Sequence, residues 1–510
     1  MCAILLSFSA DAVLAQSVVV PLDHQVYPLL IKGETMRLFH AYDLRVLPLT
    51  RTATLKLLLQ MQEQARRLSS PDAGLLRQMI GEFTDPVIGQ EAVPESERHL
   101  YRFEEGTTQI FLDLRGTQAV ALHRGRLDVP DETLSETTAW GSVRGSFGEH
   151  VSFGLTARNT LVLGSEDQEE RFDPSQGQSQ VVVGEGVFRD QATGYISVVF
   201  QPLTLFLGRT HTSWGSGLQE QFSLSMQNEP MDQVMFTLDF ERFRFSYLHA
   251  NLQGIGTSRF LAGHRIDFLL GKNVQLGVYE TVVYAGRGAE LAYLNPFVPY
   301  HIIEHQLGDK DNNMLGFDVT ATVAPGVRAF AEVFVDDFSL DFPLGTYWGN
   351  KLAYLAGIHW AQPFGAKTLE LFATYTRVDP YVYTHMDTMN VYTHYDASAG
   401  SRLGPNAERW YGGLLYRPMR DLQCEVKYSF VRKGRGDVSS PHTVADGDGK
   451  GFLSGVLERQ HGMEMALRYQ FSRDMFVGFD ALLTDRTDAR NSPGLTAREQ
   501  SVRLVLDINY

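Results

Sequence analysis

Cysteine is almost missing from this 510-residue chain: Cys2 and Cys424 are the only two, so no disulfide framework can hold the fold. Long apolar runs are missing as well. After the N-terminus no uninterrupted stretch reaches the roughly 18 to 20 residues that a membrane-crossing helix needs, which excludes a helical membrane protein. A basic patch is lacking too; Lys and Arg number 45 against 60 Asp and Glu, a net charge of −15, and a phosphate-binding surface would need clustered cations. Nucleic acid is therefore not an expected partner. Disorder is excluded by the 44% of hydrophobic residues.

What remains is a soluble multidomain protein or a closed membrane barrel, whose alternating strands look only moderately hydrophobic on average. The alternation decides between them. In Ser501 to Tyr510 the apolar residues fall at 502, 504, 506, 508 and 510, while Arg503, Asp507 and Asn509 take the other parity. One face suits lipid and the other a wet interior. An edge strand of a soluble sandwich would look the same, but the pattern recurs. Leu422, Cys424, Val426, Tyr428 and Phe430 oppose Gln423, Glu425, Lys427 and Ser429; Met475, Val477, Phe479, Ala481 and Leu483 oppose Gly478, Asp480 and Thr484; Leu369, Leu371, Ala373 and Tyr375 oppose Glu370, Thr374 and Thr376. A cation on the lipid face would cost about 2–4 kcal/mol near mid-membrane, and the pattern keeps cations off that face.

Eight short turns join strands in pairs: Gly148 to His150, Gln201-Pro202, Glu241-Arg242, Lys272-Asn273, Ala324 to Gly326, Gln362 to Ala366, Arg417 to Arg420 and Ser472 to Asp474. Longer polar connections lie between, at 164–190, 213–231, 286–311, 379–407 and 434–458. With both barrel ends on the short-turn side, eight turns predict about 18 strands. The expected fold is thus all-β, a transmembrane antiparallel barrel over 96–510, with the last strand closing against a first strand near 109–125 and Tyr510 at the rim. Two strands resist the pattern. In Leu261 to Leu270 His264 and Arg265 are adjacent, and Glu280 shares the parity of Val274, Leu276 and Val278; a bulge or a position above the bilayer would resolve both.

Residues 1–15 read as an export signal, with the apolar stretch Ala3 to Phe8 and the small-residue site Val13-Leu14-Ala15, though no cation precedes it. Residues 16–95 read as a small periplasmic helical module. Thr50 or Thr52 caps one helix carrying Leu55, Leu58, Leu59 and Met61, and Ser70-Pro71 starts another. Either it hangs free as an appendage or it caps the barrel mouth.

Several short motifs, in order, resemble the Wzi family of capsule-assembly outer-membrane proteins: Val20-Pro21-Leu22-Asp23-His24 with Tyr27, Leu47-Pro48-Leu49-Thr50-Arg51, Gly208-Arg209 with Trp214-Gly215, Ala262-Gly263-His264-Arg265, Leu276-Gly277 with Glu280, Tyr293-Leu294-Asn295-Pro296, Asp309-Lys310-Asp311-Asn312, and Glu332 before Asp336-Asp337-Phe338. Pro28 departs from the family's opening helix, since proline interrupts helix interiors. The resemblance implies an 18-stranded barrel behind a periplasmic helical bundle, and a role in retaining or organising capsular polysaccharide through outward loops. It also implies a monomer in outer-membrane lipid, inserted by barrel-assembly machinery that reads the terminal aromatic. No cofactor, metal ion or catalytic residue is implied.

For sugar binding the densest aromatic stretch is 379–407, with Tyr381, Tyr383, His385, Tyr392, His394 and Tyr395; Trp214 is a further candidate. Aromatic faces stack on sugars, and the same residues equally well pack a loop or mark the membrane interface. Asp309, Asp311, Asn312 and Asn313 carry oxygen ligands but lack the glycine and closing glutamate of a calcium loop, so a solvated acidic loop is expected. Glu332, Asp336 and Asp337 are expected to meet arginines across the lumen. His211, Ser213 and Asn228 lack a nucleophile's spacing. The competing functions are a porin-like channel and, least supported, an outer-membrane hydrolase.

Overall fold

The computed structural model describes residues 18–39, 43–84, 98–164, 180–218, 220–343 and 345–509. The export segment 1–15 and Tyr510 lie outside them.

Eighteen antiparallel strands close into a barrel. In chain order they are β1 (Thr108–Arg124), β2 (Glu132–Phe147), β3 (Val151–Leu163), β4 (Gly186–Phe200), β5 (Leu203–Thr210), β6 (Met231–Asp239), β7 (Phe243–Leu252), β8 (Arg259–Leu270), β9 (Val274–Ala285), β10 (Asn312–Ala324), β11 (Val327–Asp337), β12 (Lys351–Ala361), β13 (Leu369–Val378), β14 (Ala407–Met419), β15 (Leu422–Lys433), β16 (Glu458–Ser472), β17 (Met475–Thr487) and β18 (Thr496–Asn509). All eight short turns fall where the sequence puts them. Closure joins β18 to β1, with Val502 opposite Leu122 and Asn509 opposite Arg115. Parity holds as well. Leu504, Leu506 and Ile508 are exposed on the outer face, whereas Arg503 turns inward to Glu136 at 2.8 Å and Asp507 accepts from Arg115 Nε at 2.8 Å.

Among the described residues three α-helices precede the wall: α1 (Val26–Thr35), α2 (Arg51–Glu63) and α3 (Ser70–Phe83). Thr50 caps α2, its Oγ1 accepting from Ala53 N at 3.1 Å. The cap of α3 is Ser69, one residue before the expected Ser70, with Oγ accepting from Asp72 N at 3.1 Å; Pro71 lies in the first turn. Pro28 does not break α1 because it too falls in the first turn, where backbone N–H groups have no helical partner.

The module is a plug and not an appendage. Its apolar face, including Val26, Leu30, Leu57, Leu58, Met61, Leu76 and Met79, is buried together with Ala361 of β12. Polar hooks seat it at the short-turn end. Lys32 Nζ lies 2.8 Å from Asp72 and 3.1 Å from Glu370 of β13, and Thr35 Oγ1 lies 2.7 Å from His359 Nδ1 of β12. Glu34 takes Arg45 at 2.6 Å, Arg328 of β11 at 3.1 Å and Gln275 Nε2 of β9 at 2.9 Å. Burial would push the Glu34 carboxyl up, but Arg45 and Arg328 hold it below its ordinary value; the Lys32 ammonium, lowered by burial, is raised overall by Glu370 and Asp72.

Candidate functional site

At the long-loop end, two connections turn into the lumen instead of standing out from it. After β5 the chain enters at 211–230 and reaches the module, where Val46 and Leu47 pair antiparallel with Trp214 and Ser213, and Gly215 N donates to Arg45 O at 3.1 Å. Arg328 links the same layers by donating to Ser216 O at 2.9 Å. Trp214 is fully buried, and its ring fills the space above Gly263 of β8, where an added Cβ would stand 3.0 Å from the indole.

The connection 379–406 folds inward against that layer. Tyr383 Oη donates to Phe222 O and Tyr392 Oη to Ser223 O, both at 2.9 Å, and the two rings stack with centroids 5.5 Å apart. With Phe334, Leu355, Val378, Phe222 and Leu224 they form one apolar core against the inner faces of β6–β13. His394 is buried too; burial lowers its imidazole to about 4, so it is neutral, and Nδ1 accepts from Gln253 N at 3.2 Å. Tyr383, Tyr392, His394 and Trp214 thus hold the connections together and present no open ring face. Tyr381, His385 and Tyr395 remain half-buried near the surface.

Beside Tyr381 lies an aromatic cluster that the sequence did not point to. Trp348, from the β11–β12 connection, stacks on His442, from the β15–β16 connection, with centroids 3.8 Å apart and planes 4° from parallel. Tyr381 meets His442 edge-on at 5.2 Å, and Phe342 stacks on Tyr347 at 4.0 Å. Lys450 locks these connections to the inward one: its Nζ lies 2.5 Å from Asp379, and its N donates to Thr346 O at 2.7 Å. These rings come from connections more than 30 residues apart in sequence, so no local motif announces them.

The remaining residues of the motifs picked out in the sequence divide into two sets. One lies on the long-loop half of the wall, where some of its members hold the inward connections and others bond neighbouring strands. Asn312 Nδ2 donates to Asn390 O at 2.9 Å, Asp336 accepts from Tyr383 N, Asp337 pairs with Lys351 at 2.6 Å, and Glu332 accepts from Tyr279 Oη at 2.6 Å. The expected arginine partners of Glu332, Asp336 and Asp337 are replaced by a tyrosine, a backbone amide and a lysine, because the inward connections occupy the space that cross-lumen ion pairs would span. Arg265 bonds Asp267 and Asp318, each at 2.6 Å, within the same inner wall, and Arg209 pairs with Asp232 at 3.2 Å.

The other set lies on the outer face. Glu280 and His264 face each other across β8 and β9 at 3.1 Å in a ladder without a register shift, so no bulge is involved. Instead the connection 286–311, with short helices α4 (Leu291–Leu294) and α5 (Tyr300–Gln306), wraps back over the wall. Glu280 accepts from Tyr300 N at 2.8 Å, His301 N at 2.6 Å and Asn313 Nδ2 at 3.1 Å. Asn295 Oδ1 accepts from Phe297 N at 3.2 Å just before Pro296 in the same segment. Asp311 is no solvated acid: it is buried, held by Arg287 Nη1 at 2.9 Å and Tyr293 Oη at 2.7 Å. Asn312 points in and Asn313 out, which separates the oxygens of the calcium reading. His211 Nδ1 lies 2.8 Å from the Asn228 backbone oxygen and Ser213 sits in the two-residue ladder, so these residues do not assemble a nucleophile and base.

On the side of β1–β4 and β16–β18 the described residues leave part of the lumen unfilled. A cavity of about 1070 Å³ lies beside the module, with Trp140 at its wall between Arg115, 4.2 Å away, and Arg158, 5.1 Å away.

Residues 190–487, more than half of the chain, match the family described as capsule assembly protein Wzi. The chain belongs to that family. No curated protein sequence matches it. Among solved structures, Wzi of Escherichia coli superposes with a TM-score of 0.64 at 13% identity, over 96% of this chain and 99% of that one. It is described as an outer membrane protein involved in group 1 capsule assembly and a carbohydrate-binding β-barrel; at this identity the likeness shows the shared fold. OpdO and OprD of Pseudomonas aeruginosa superpose at 0.47 and 0.46, with 12% and 13% identity, over 79% of this chain and 97% and 93% of theirs.

Proposed function

We propose that this Wzi-family barrel sits in the bacterial outer membrane, module toward the periplasm, and binds surface polysaccharide through its interlocked long-loop end. The observation that carries this reading is the ring cluster of Tyr381, Trp348, His442, Tyr347 and Phe342, held on connections that Lys450 and the inward core make rigid. Aromatic faces on a preorganised support bind sugars with little ordering cost. Tyr395 and His385 offer further half-buried rings at the long-loop end. Family membership and the described activity of the Escherichia coli protein support the same substrate class. The barrel acts as a monomer, without catalysis, and takes lipid and assembly machinery as its other partners.

Deletion of the gene, with cell-attached and released polysaccharide measured separately, tests the role: attachment should fall and release rise. Unchanged attachment refutes it. The cavity favours a second reading, a channel for small solutes along the β1–β4 side. Planar-bilayer conductance tests that reading, and measurable single-channel steps in the intact protein would support it.

A further inference from the structure

We propose that the segment 286–311, folded over the outside of the wall, is a lipid-contacting flap that inserts its apolar edge among acyl chains at the headgroup boundary. The inference rests on the reading that the barrel spans a membrane.

Parity places the segment outside. On β9 the residues Tyr279, Thr281 and Val283 point to the lumen, where Thr281 Oγ1 lies 3.4 Å from Tyr392 Oη. Their neighbours Glu280, Val282 and Tyr284 must therefore point outward, and Val282 and Tyr284 are buried with Ala262 under Tyr293 and Tyr300 of the flap. The base is stapled by Arg287 to Asp311. Its underside is bonded to the wall by Tyr247 Oη to Tyr293 O at 3.2 Å and by the backbone amides on Glu280. A charge at an outward position is costly in a membrane unless it is paired. Here the flap itself supplies the donors.

Among the described residues none covers its far side. Leu291 is 79% exposed, Phe297 69% and Ile302 52%. From 291 to 303 there is no Asp, Glu, Lys or Arg; Glu290 and Glu304, and beyond them Asp309 and Lys310, bracket the stretch. Apolar residues between polar ends suit the boundary between headgroups and chains. The occupant follows from continuity. Phe297 stacks on outward-facing Phe245 at 5.2 Å, and this ring continues into the outer-face aromatics Phe236, at 5.9 Å, and through its strand neighbour Phe243 to Phe268, at 5.4 Å. The exposed edge of the flap therefore extends the surface by which the barrel meets lipid.

The test uses the full-length protein in lipid nanodiscs, with Cys2→Ala and Cys424→Ala and single nitroxide labels at Leu291→Cys, Phe297→Cys and Ile302→Cys. References are Leu504→Cys on the outer wall and Val444→Cys on a long-loop tip. Relaxation by oxygen against a water-soluble nickel chelate should rank the three flap sites with Leu504, with an oxygen preference roughly an order of magnitude above that at Val444. Flap labels that behave like Val444 while Leu504 stays in lipid overturn the flap and leave the barrel reading standing. Labels shielded from both reagents overturn it in favour of a protein partner. Loss of oxygen preference at Leu504 as well refutes the membrane reading itself.

Discussion

Replacing Lys32 with methionine removes the ammonium that bridges Asp72 and Glu370, and the structure sets the size of the effect. Lys32 and Asp72 are each 1% exposed, and the contacts are 2.8 and 3.1 Å. Breaking a buried pair by deleting one partner costs about 3–5 kcal/mol, since the other charge stays buried. Asp72 would keep Ser69 Oγ at 2.6 Å and Arg417 at 3.5 Å, and Glu370 would keep His359 at 3.0 Å. The lower end, about 3 kcal/mol, is therefore expected, a shift of more than about a hundredfold toward an undocked module. The barrel, closed by its own ladders, should survive. Limited proteolysis reads the difference: cleavage within 18–84 should accelerate by that factor while the wall stays intact and heat-modifiable on gels. An unchanged cleavage rate refutes the docking argument. The pH profile follows by sign. Glu34 is depressed in the folded state, so its contribution is full above the ordinary carboxylate value of 4.5 and fades as pH falls through the lower folded value. Lys32 is raised, so its contribution is full below 10.5 and fades as pH climbs through the higher folded value. Protection should be greatest between these limits.

Trp214→Ala should cost about 3–5 kcal/mol and lower the temperature of heat modification, because the ring is fully enclosed; an unchanged temperature would show that the 211–230 layer does not stabilise the lumen. Burial, with Asp309, Asp337, Asp311 and Glu280 nearby, raises Glu304 of α5 to about 8, so the folded flap favours the protonated acid and its hold should weaken as pH rises from the ordinary value of 4.5 through 8. Broader nitroxide spectra from the flap at pH 5 than at pH 9, with Glu304→Gln insensitive, check this. Trp348→Ala should reduce binding of purified capsular polysaccharide several-fold, stacking being worth about 0.5–1.5 kcal/mol beyond area; full binding by Trp348→Ala with His442→Ala would remove the cluster from the site.

Much of the wall was readable because its signals are local. Strand parity and turn chemistry act within a few residues, and they place Asp507 inward, Leu504 outward and each short turn where it lies. The destinations of the long connections are not local. Tyr383 and Tyr392 have the composition of a sugar-binding loop, yet their rings are enclosed by Phe222 and Phe334, residues more than 40 positions away. Trp348 and His442 meet where Lys450 N donates to Thr346 O and Trp348 N to Asp448 O, contacts that tie their two connections together. One signal did exist for the flap: the outward parity of Glu280, an acid among Val274, Leu276 and Val278, demands donors from somewhere, and the charge-free stretch from 291 to 303 lies just beyond it.

Two kinds of residue meet at the long-loop end. Asp336 is buried and bonded to Tyr383 N, so Asp336→Ala strips an acceptor from the inward core, orphans a buried amide at a cost of about 1–3 kcal/mol and should loosen the connection that carries Tyr381. Trp348 lies at the surface and bonds no wall residue among those described. Its replacement should leave the core in place. Asp336→Ala is therefore expected to lower heat-modification temperature and polysaccharide binding together, and Trp348→Ala to lower binding alone. If Asp336→Ala reduced binding with no change in stability, the acid would belong to the sugar site and not to its support.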